Sequence, residues 1–144
     1  MKHLMLAALL VSISFPTNAE EPGHKIKSTF QVWPIGWIRK TDNRTYIEIN
    51  KEYQAALMGV ENLDSIWVLY WFDRNDTPEK RSIMQVHPRG NIDNPLRGVF
   101  ATRAPVRPNL IALSHCDIIS VKDNIIEIDF IDAFPDTPVL DIKP

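Results

Sequence analysis

Apolar positions along this chain come in short bursts separated by turn residues, and most bursts have a period of two. Arg44-Thr-Tyr-Ile-Glu-Ile49 alternates strictly, the pattern of a half-buried strand. Phe30 to Ile38 reads as another strand, kinked or at an edge because Pro34 and Gly36 interrupt it. Ser65 to Phe72 is apolar throughout and aromatic-rich, which predicts a strand buried on both faces with Trp67 and Trp71 in the core. Ile83 to Val86 is a shorter strand, and Asp73 to Lys80 is a polar loop. Leu110–Val121 and Asn124–Ile131 form a hairpin through Lys122-Asp123, with Ile126, Ile128 and Phe130 on one face. Only Glu52 to Val60 has helical spacing, with Tyr53, Ala56, Leu57 and Val60 on one stripe and Gly59 and Asn62 as stop signals. Six or seven short strands, one prominent short helix and no repeat or linker predict an all-β fold, a single closed β-barrel.

The first residues follow another logic. Lys2 precedes a ten-residue apolar run from Leu4 to Ile13, and Thr17-Asn-Ala19 supplies small or short residues before Glu20-Glu21. This is the layout of a signal peptide cut after Ala19. The run is short for a membrane span of roughly 20 residues, so no stable membrane insertion is expected after cleavage. The expected organisation is a signal peptide over 1–19, a polar leader over 20–28 and the barrel over 29–144, in a periplasmic or secreted protein. Loss of Lys2 moves the formal charge from −2 to −3. Cys116 is the single cysteine, so no intrachain disulfide forms; its apolar surroundings mark it as a buried small hydrophobe rather than a nucleophile.

Two segments go beyond packing. Gly98-Val-Phe-Ala-Thr-Arg-Ala-Pro-Val-Arg-Pro-Asn109 follows directly on Arg97 and carries Arg103 and Arg107 between prolines that exclude a regular helix or strand. Asp136-Thr-Pro-Val-Leu-Asp-Ile-Lys-Pro144 closes the sequence. Together with Ile35-Gly-Trp-Ile38, Leu57-Met-Gly-Val-Glu61 and Ile66-Trp-Val-Leu69, they resemble the TsaA-like family over residues 29–144. The resemblance implies a barrel that binds S-adenosyl-L-methionine, commonly as a homodimer, and methylates N6 of threonylcarbamoyl-adenosine in tRNA. It implies cofactor contacts at Asp73 and Arg74, at Arg103, at Leu113, and at the turn holding Asp132, Phe134 and Pro135. Arg107, Asn109, Asp141 and Lys143 are the matching substrate-side candidates. An ordinary reading stands beside these: Arg97 and Arg107 pinning the turn to carbonyls, and Asp141 with Lys143 as a salt bridge closing the barrel. No residue is singled out as catalytic. His24, His87 and His115 lack metal-ligand spacing, so no metal is expected.

The chain also departs from the family pattern. The Pro-, Arg- and Gln-rich loop between the first two strands shrinks to Arg39-Lys-Thr-Asp-Asn43, Pro and Gly after Arg-Pro-Asn become Leu110 and Ala112, and Asp-Gly before Thr-Pro becomes Pro135-Asp136. A tRNA binder ordinarily shows a basic face, whereas this chain is net acidic. Two functions therefore remain open: the methyltransferase, and an exported non-catalytic module that binds a small anionic or nucleotide-like ligand.

Overall fold

The computed structural model describes residues 29–144. The expected signal peptide and polar leader lie outside them. Among the described residues no helix is long and apolar enough to cross a membrane.

Six antiparallel strands close into a barrel in the order β1-β2-β7-β6-β3-β8, with β8 returning to β1. They are β1 (Gly36–Lys40), β2 (Thr45–Ile49), β3 (Ser65–Trp71), β6 (Ile111–Lys122), β7 (Ile125–Ile128) and β8 (Pro138–Lys143). Closure leaves no free sheet edge in the barrel. β4 (Gln85–Val86) and β5 (Arg97–Gly98) pair separately as a small ribbon. Alternation supplies the interior: Ile38, Ile47, Ile66, Val68, Ile126, Ile128 and Val139 are fully buried in one cluster. Their out-facing neighbours carry ion pairs, notably Arg39 Nε to Glu48 at 2.8 Å and a bidentate Arg44–Glu127 pair at 2.8 Å on both arms. The Arg44 hydrogen bonds hold the Glu127 carboxyl below its ordinary range.

Several expectations need correction. The first strand begins at Gly36, because Val32 and Trp33 are exposed (58% and 66%) and Pro34 has no amide to add to a ladder. Residues 51–57 and 60–62 wind as two 3₁₀ turns rather than one α-helix, separated by Gly59 at φ +95°. Tyr53 and Ala56 are exposed and only Leu57 is buried, since a three-residue repeat does not keep the predicted stripe on one face. The one α-helix among the described residues, α1 (Pro78–Arg81), lies in the segment read as loop; Thr77 caps it by accepting from the Lys80 amide at 3.3 Å.

β3 is buried on one face, not both: Ile66, Val68 and Tyr70 point inward, while Trp67 is exposed and Trp71 half-buried outside. Trp67 meets His115 edge-on at 4.9 Å, and the Trp71 indole donates to Asp76 at 3.0 Å under the Arg81 guanidinium. Local pairs thus satisfy these aromatics without the core. β7 stops at Ile128, which leaves Phe130 exposed rather than in line with Ile126.

Candidate functional site

The strand register brings the C-terminal ends of β1 and β3, the N-terminal end of β6 and the approach to β8 to one end of the barrel. A cleft of about 760 Å³ opens there, inside the roughly 300–1,000 Å³ usual for small-molecule sites. Three connections form its rim: residues 72–75 after β3, the proline arm 102–107 before β6, and a strap over residues 129–137 between β7 and β8.

The proline arm is fixed from within. The Thr102 hydroxyl donates to the Val99 carbonyl at 3.1 Å and accepts from the Ala104 amide at 3.2 Å. Arg81 Nη1 donates to the Pro108 carbonyl at 2.8 Å, tying the arm to α1. Arg103 leaves this scaffold toward the cleft, where Nη1 donates to the Leu113 carbonyl at 2.7 Å. That bond uses one of five guanidinium N–H groups. Arg107 also lines the cleft and reaches the Ala104 carbonyl at 3.4 Å, a weak pin within its own turn.

Opposite the arm, the strap carries Asp132, Phe134 and Pro135 to the cleft wall. Arg74 stacks on Phe134 with the guanidinium carbon 4.0 Å from the ring centroid, joining the 72–75 turn to the strap. Lys40 Nζ donates to the Ile131 carbonyl at 2.8 Å, and the Tyr70 hydroxyl to the Asp132 carbonyl at 3.0 Å. Asp73 and Asp132 line the cleft with carboxylates that have no ion-pair partner among the described residues.

Of the residues singled out by sequence, Asp73, Arg74, Arg103, Arg107, Leu113, Asp132, Phe134 and Pro135 share this cleft. Asn109, Asp141 and Lys143 do not line it. Asn109 is exposed, and its carbonyl accepts from the Ile111 amide at 2.8 Å. Asp141 and Lys143 pair with each other at 2.8 Å on β8, in register with Leu69 and Trp67. They form the expected salt bridge, but within β8 rather than across the closure of the barrel. Lys40, Tyr70 and Ser114 line the cleft without having been singled out. Ser114 lies five residues past the 98–109 segment and next to Leu113, whereas Lys40 and Tyr70 sit in plain strand sequence. His87 Nδ1 lies 2.7 Å from the Asn94 carbonyl, away from the cleft.

The cleft thus joins aromatic walls (Trp71, Phe72, Phe134) to both signs of charge. Guanidiniums suit a carboxylate, and free carboxylates suit hydroxyl donors or a cation. This donor set fits a zwitterionic nucleoside-like group.

Comparison with known proteins agrees on the family. The model of the tRNA-methyltransferase O N-terminal domain matches residues 25–144. A probable S-adenosyl-L-methionine-binding protein of Methanocaldococcus jannaschii is 49% identical over 110 residues, 76% of this chain and 87% of that protein. A tRNA (adenine(37)-N6)-methyltransferase of Rattus norvegicus is 33% identical over 108 residues, 72% of this chain but 24% of that protein. The crystal structure of TrmO from P. aeruginosa superposes with a TM-score of 0.61 at 30% identity, covering 81% of this chain. The chain spans 55% of that TrmO's length. The sequence resemblance, the closed barrel and these matches agree: the chain belongs to the TsaA-like family, that of the tRNA-methyltransferase O N-terminal domain.

Proposed function

We propose that the cleft binds S-adenosyl-L-methionine and that the protein is a methyltransferase of the tRNA N6-threonylcarbamoyladenosine type. The observation that carries this is the convergence on one cleft of suitable size of Arg103, the Asp73 and Asp132 carboxylates, which have no ion-pair partner among the described residues, and the Arg74–Phe134 stack. The relatives named as S-adenosyl-L-methionine-binding proteins and as a tRNA adenine N6-methyltransferase support it. When bound, the cofactor supplies an electrophilic methyl group on a sulfonium. Two of the four guanidinium N–H groups of Arg103 not used on Leu113 fork onto its carboxylate. Asp73 and Asp132 accept from ribose hydroxyls and balance the positive charge. Trp71, Phe72 and Phe134 exclude water from the cleft. In-line methyl transfer needs little acid–base help, so these residues act by positioning. Asn109, Asp141 and Lys143 lie outside the cleft and are given no role toward the cofactor.

A homodimer belongs to the same proposal: Ile111, Leu113 and Phe134 leave an exposed apolar rim on the cleft that a second copy can cover. So does export through residues 1–19, which directs the second reading. In that reading the barrel is an exported binding module. Its support is the tight β1–β2 connection, closed by the Thr41 amide on the Arg44 carbonyl at 2.9 Å, and the engagement of Arg39 by Glu48 and Asp136. That end of the cleft lacks a long loop to meet a large acceptor.

Calorimetric titration of the protein with S-adenosyl-L-methionine tests the first claim, with micromolar binding expected. Transfer of labelled methyl to tRNA carrying threonylcarbamoyl-adenosine then separates the readings. Binding with transfer supports the enzyme, binding without transfer supports the module, and no binding removes the cofactor from both.

A further inference from the structure

The Tyr70 side chain is 4% exposed and lies at the floor of the cleft. Its hydroxyl has one proton and two neighbours: the Asp132 carbonyl at 3.0 Å and Ser114 Oγ at 3.2 Å. A carbonyl only accepts, so the Tyr70 proton goes to Asp132. Ser114 must then donate its own proton to the Tyr70 oxygen. Burial pushes the phenol above its ordinary 10, which keeps that proton in place at working pH.

We infer that Tyr70 is a positioning residue whose directed chain, Ser114 hydroxyl to Tyr70 hydroxyl to Asp132 carbonyl, sets the strap and makes Ser114 Oγ an acceptor toward the cleft. The direction has a chemical consequence. With its proton committed, Ser114 Oγ offers only lone pairs, and the ligand group it meets is an N–H or O–H donor. Lys40 on the adjacent Ile131 carbonyl makes the attachment two-point, so consecutive strap carbonyls are held by side chains of β1 and β3. Asp132 and Phe134 are thereby placed on the cleft wall by contacts spanning 91 and 62 residues of sequence. The inference rests on the cofactor reading only for the identity of the ligand.

The test uses the full chain as wild type, Tyr70→Phe, Ser114→Ala and the double variant, titrated with S-adenosyl-L-methionine alongside thermal unfolding. Tyr70→Phe keeps the ring volume and removes the link, so affinity falls about tenfold while the unfolding midpoint moves by only a few degrees. Ser114→Ala also weakens binding, and the double variant binds no worse than Tyr70→Phe, because Ser114 without its orienting partner no longer contributes. Additive losses, or unchanged affinity in Tyr70→Phe, would overturn the inference. If wild type takes up no S-adenosyl-L-methionine, the cofactor reading fails and the chain is read directly by NMR. A slowly exchanging Tyr70 hydroxyl proton, with the Ala133 amide shifting in Tyr70→Phe, supports the relay; a fast-exchanging hydroxyl with no such shift rejects it.

Discussion

Arg103 Nη1 sits 2.7 Å from the carbonyl oxygen of Leu113, a bond that ties the proline arm to the N-terminal end of strand β6 and points the remaining guanidinium into the cleft. The bond is exposed and neutral on the acceptor side, so its share of stability is small. In the proposed cofactor site its larger role is ligand recognition.

Arg103→Ala is therefore expected to abolish measurable S-adenosyl-L-methionine binding with a shift of only a few degrees in the unfolding midpoint. Arg103→Lys keeps the charge but loses the planar fork, and is expected to recover little of the affinity. Calorimetry beside a thermal melt reads both. Collapse of the fold in Arg103→Ala would show the arginine to be structural.

Gly36 explains one family motif in steric terms. A Cβ there would stand 2.5 Å from the Glu48 carbonyl oxygen and 3.0 Å from the Ile49 Cα, both backbone atoms that cannot swing aside. Gly36→Ala has to push β1 from β2 at the point where Ile35 and Gly36 also approach Val139 of β8. We expect a loss on the order of 2 kcal/mol or more by denaturant unfolding. A neutral result would mean that the strand pair yields without cost.

Much of the barrel is legible in its isoleucines. Ile47 and Ile49 flank Glu48, Ile126 and Ile128 flank Glu127, and all four isoleucines are buried. Ser65–Phe72 misleads because apolar and aromatic residues occupy both faces, and only tertiary partners such as His115 and Asp76 reveal which face is outside. The 52–60 segment misleads because a few apolar residues fit two helical periods equally well. On the cleft, the 98–109 motif marked Arg103, and the family resemblance marked Leu113. Lys40 and Tyr70 carry no local signal, since their roles exist only through carbonyls far along the chain.

Cys116 is 1% exposed, and burial pushes its thiol up to about 11 from an ordinary 9. The buried neutral form is favoured, so this contribution to stability is complete below pH 9 and is lost as pH rises toward 11. Native protein at pH 8 is expected to resist iodoacetamide and to react only on unfolding. Rapid labelling of the folded protein would contradict the burial. An unfolding midpoint that falls between pH 9 and 11, and falls less in Cys116→Ala, would confirm the sign.

Asp136 replaces the glycine of the family pattern while keeping a glycine's conformation, with φ at +64°. An aspartate tolerates the left-handed region better than most residues, at a cost of roughly 1 kcal/mol. Its amide donates to the Ile38 carbonyl at 2.7 Å, and its carboxylate pairs with the Arg39 guanidinium. Two effects therefore oppose each other in Asp136→Gly: backbone strain is relieved and an exposed ion pair is lost. We expect that variant to be near neutral in stability, whereas Asp136→Ala loses the ion pair and keeps the strain, and melts several degrees lower. Because Asp136 directly follows Pro135 on the cleft wall, ligand affinity should follow the same order, Asp136→Gly above Asp136→Ala. Equal melting of the two variants would show that the Arg39 pair, rather than the left-handed backbone, holds this end of the strap.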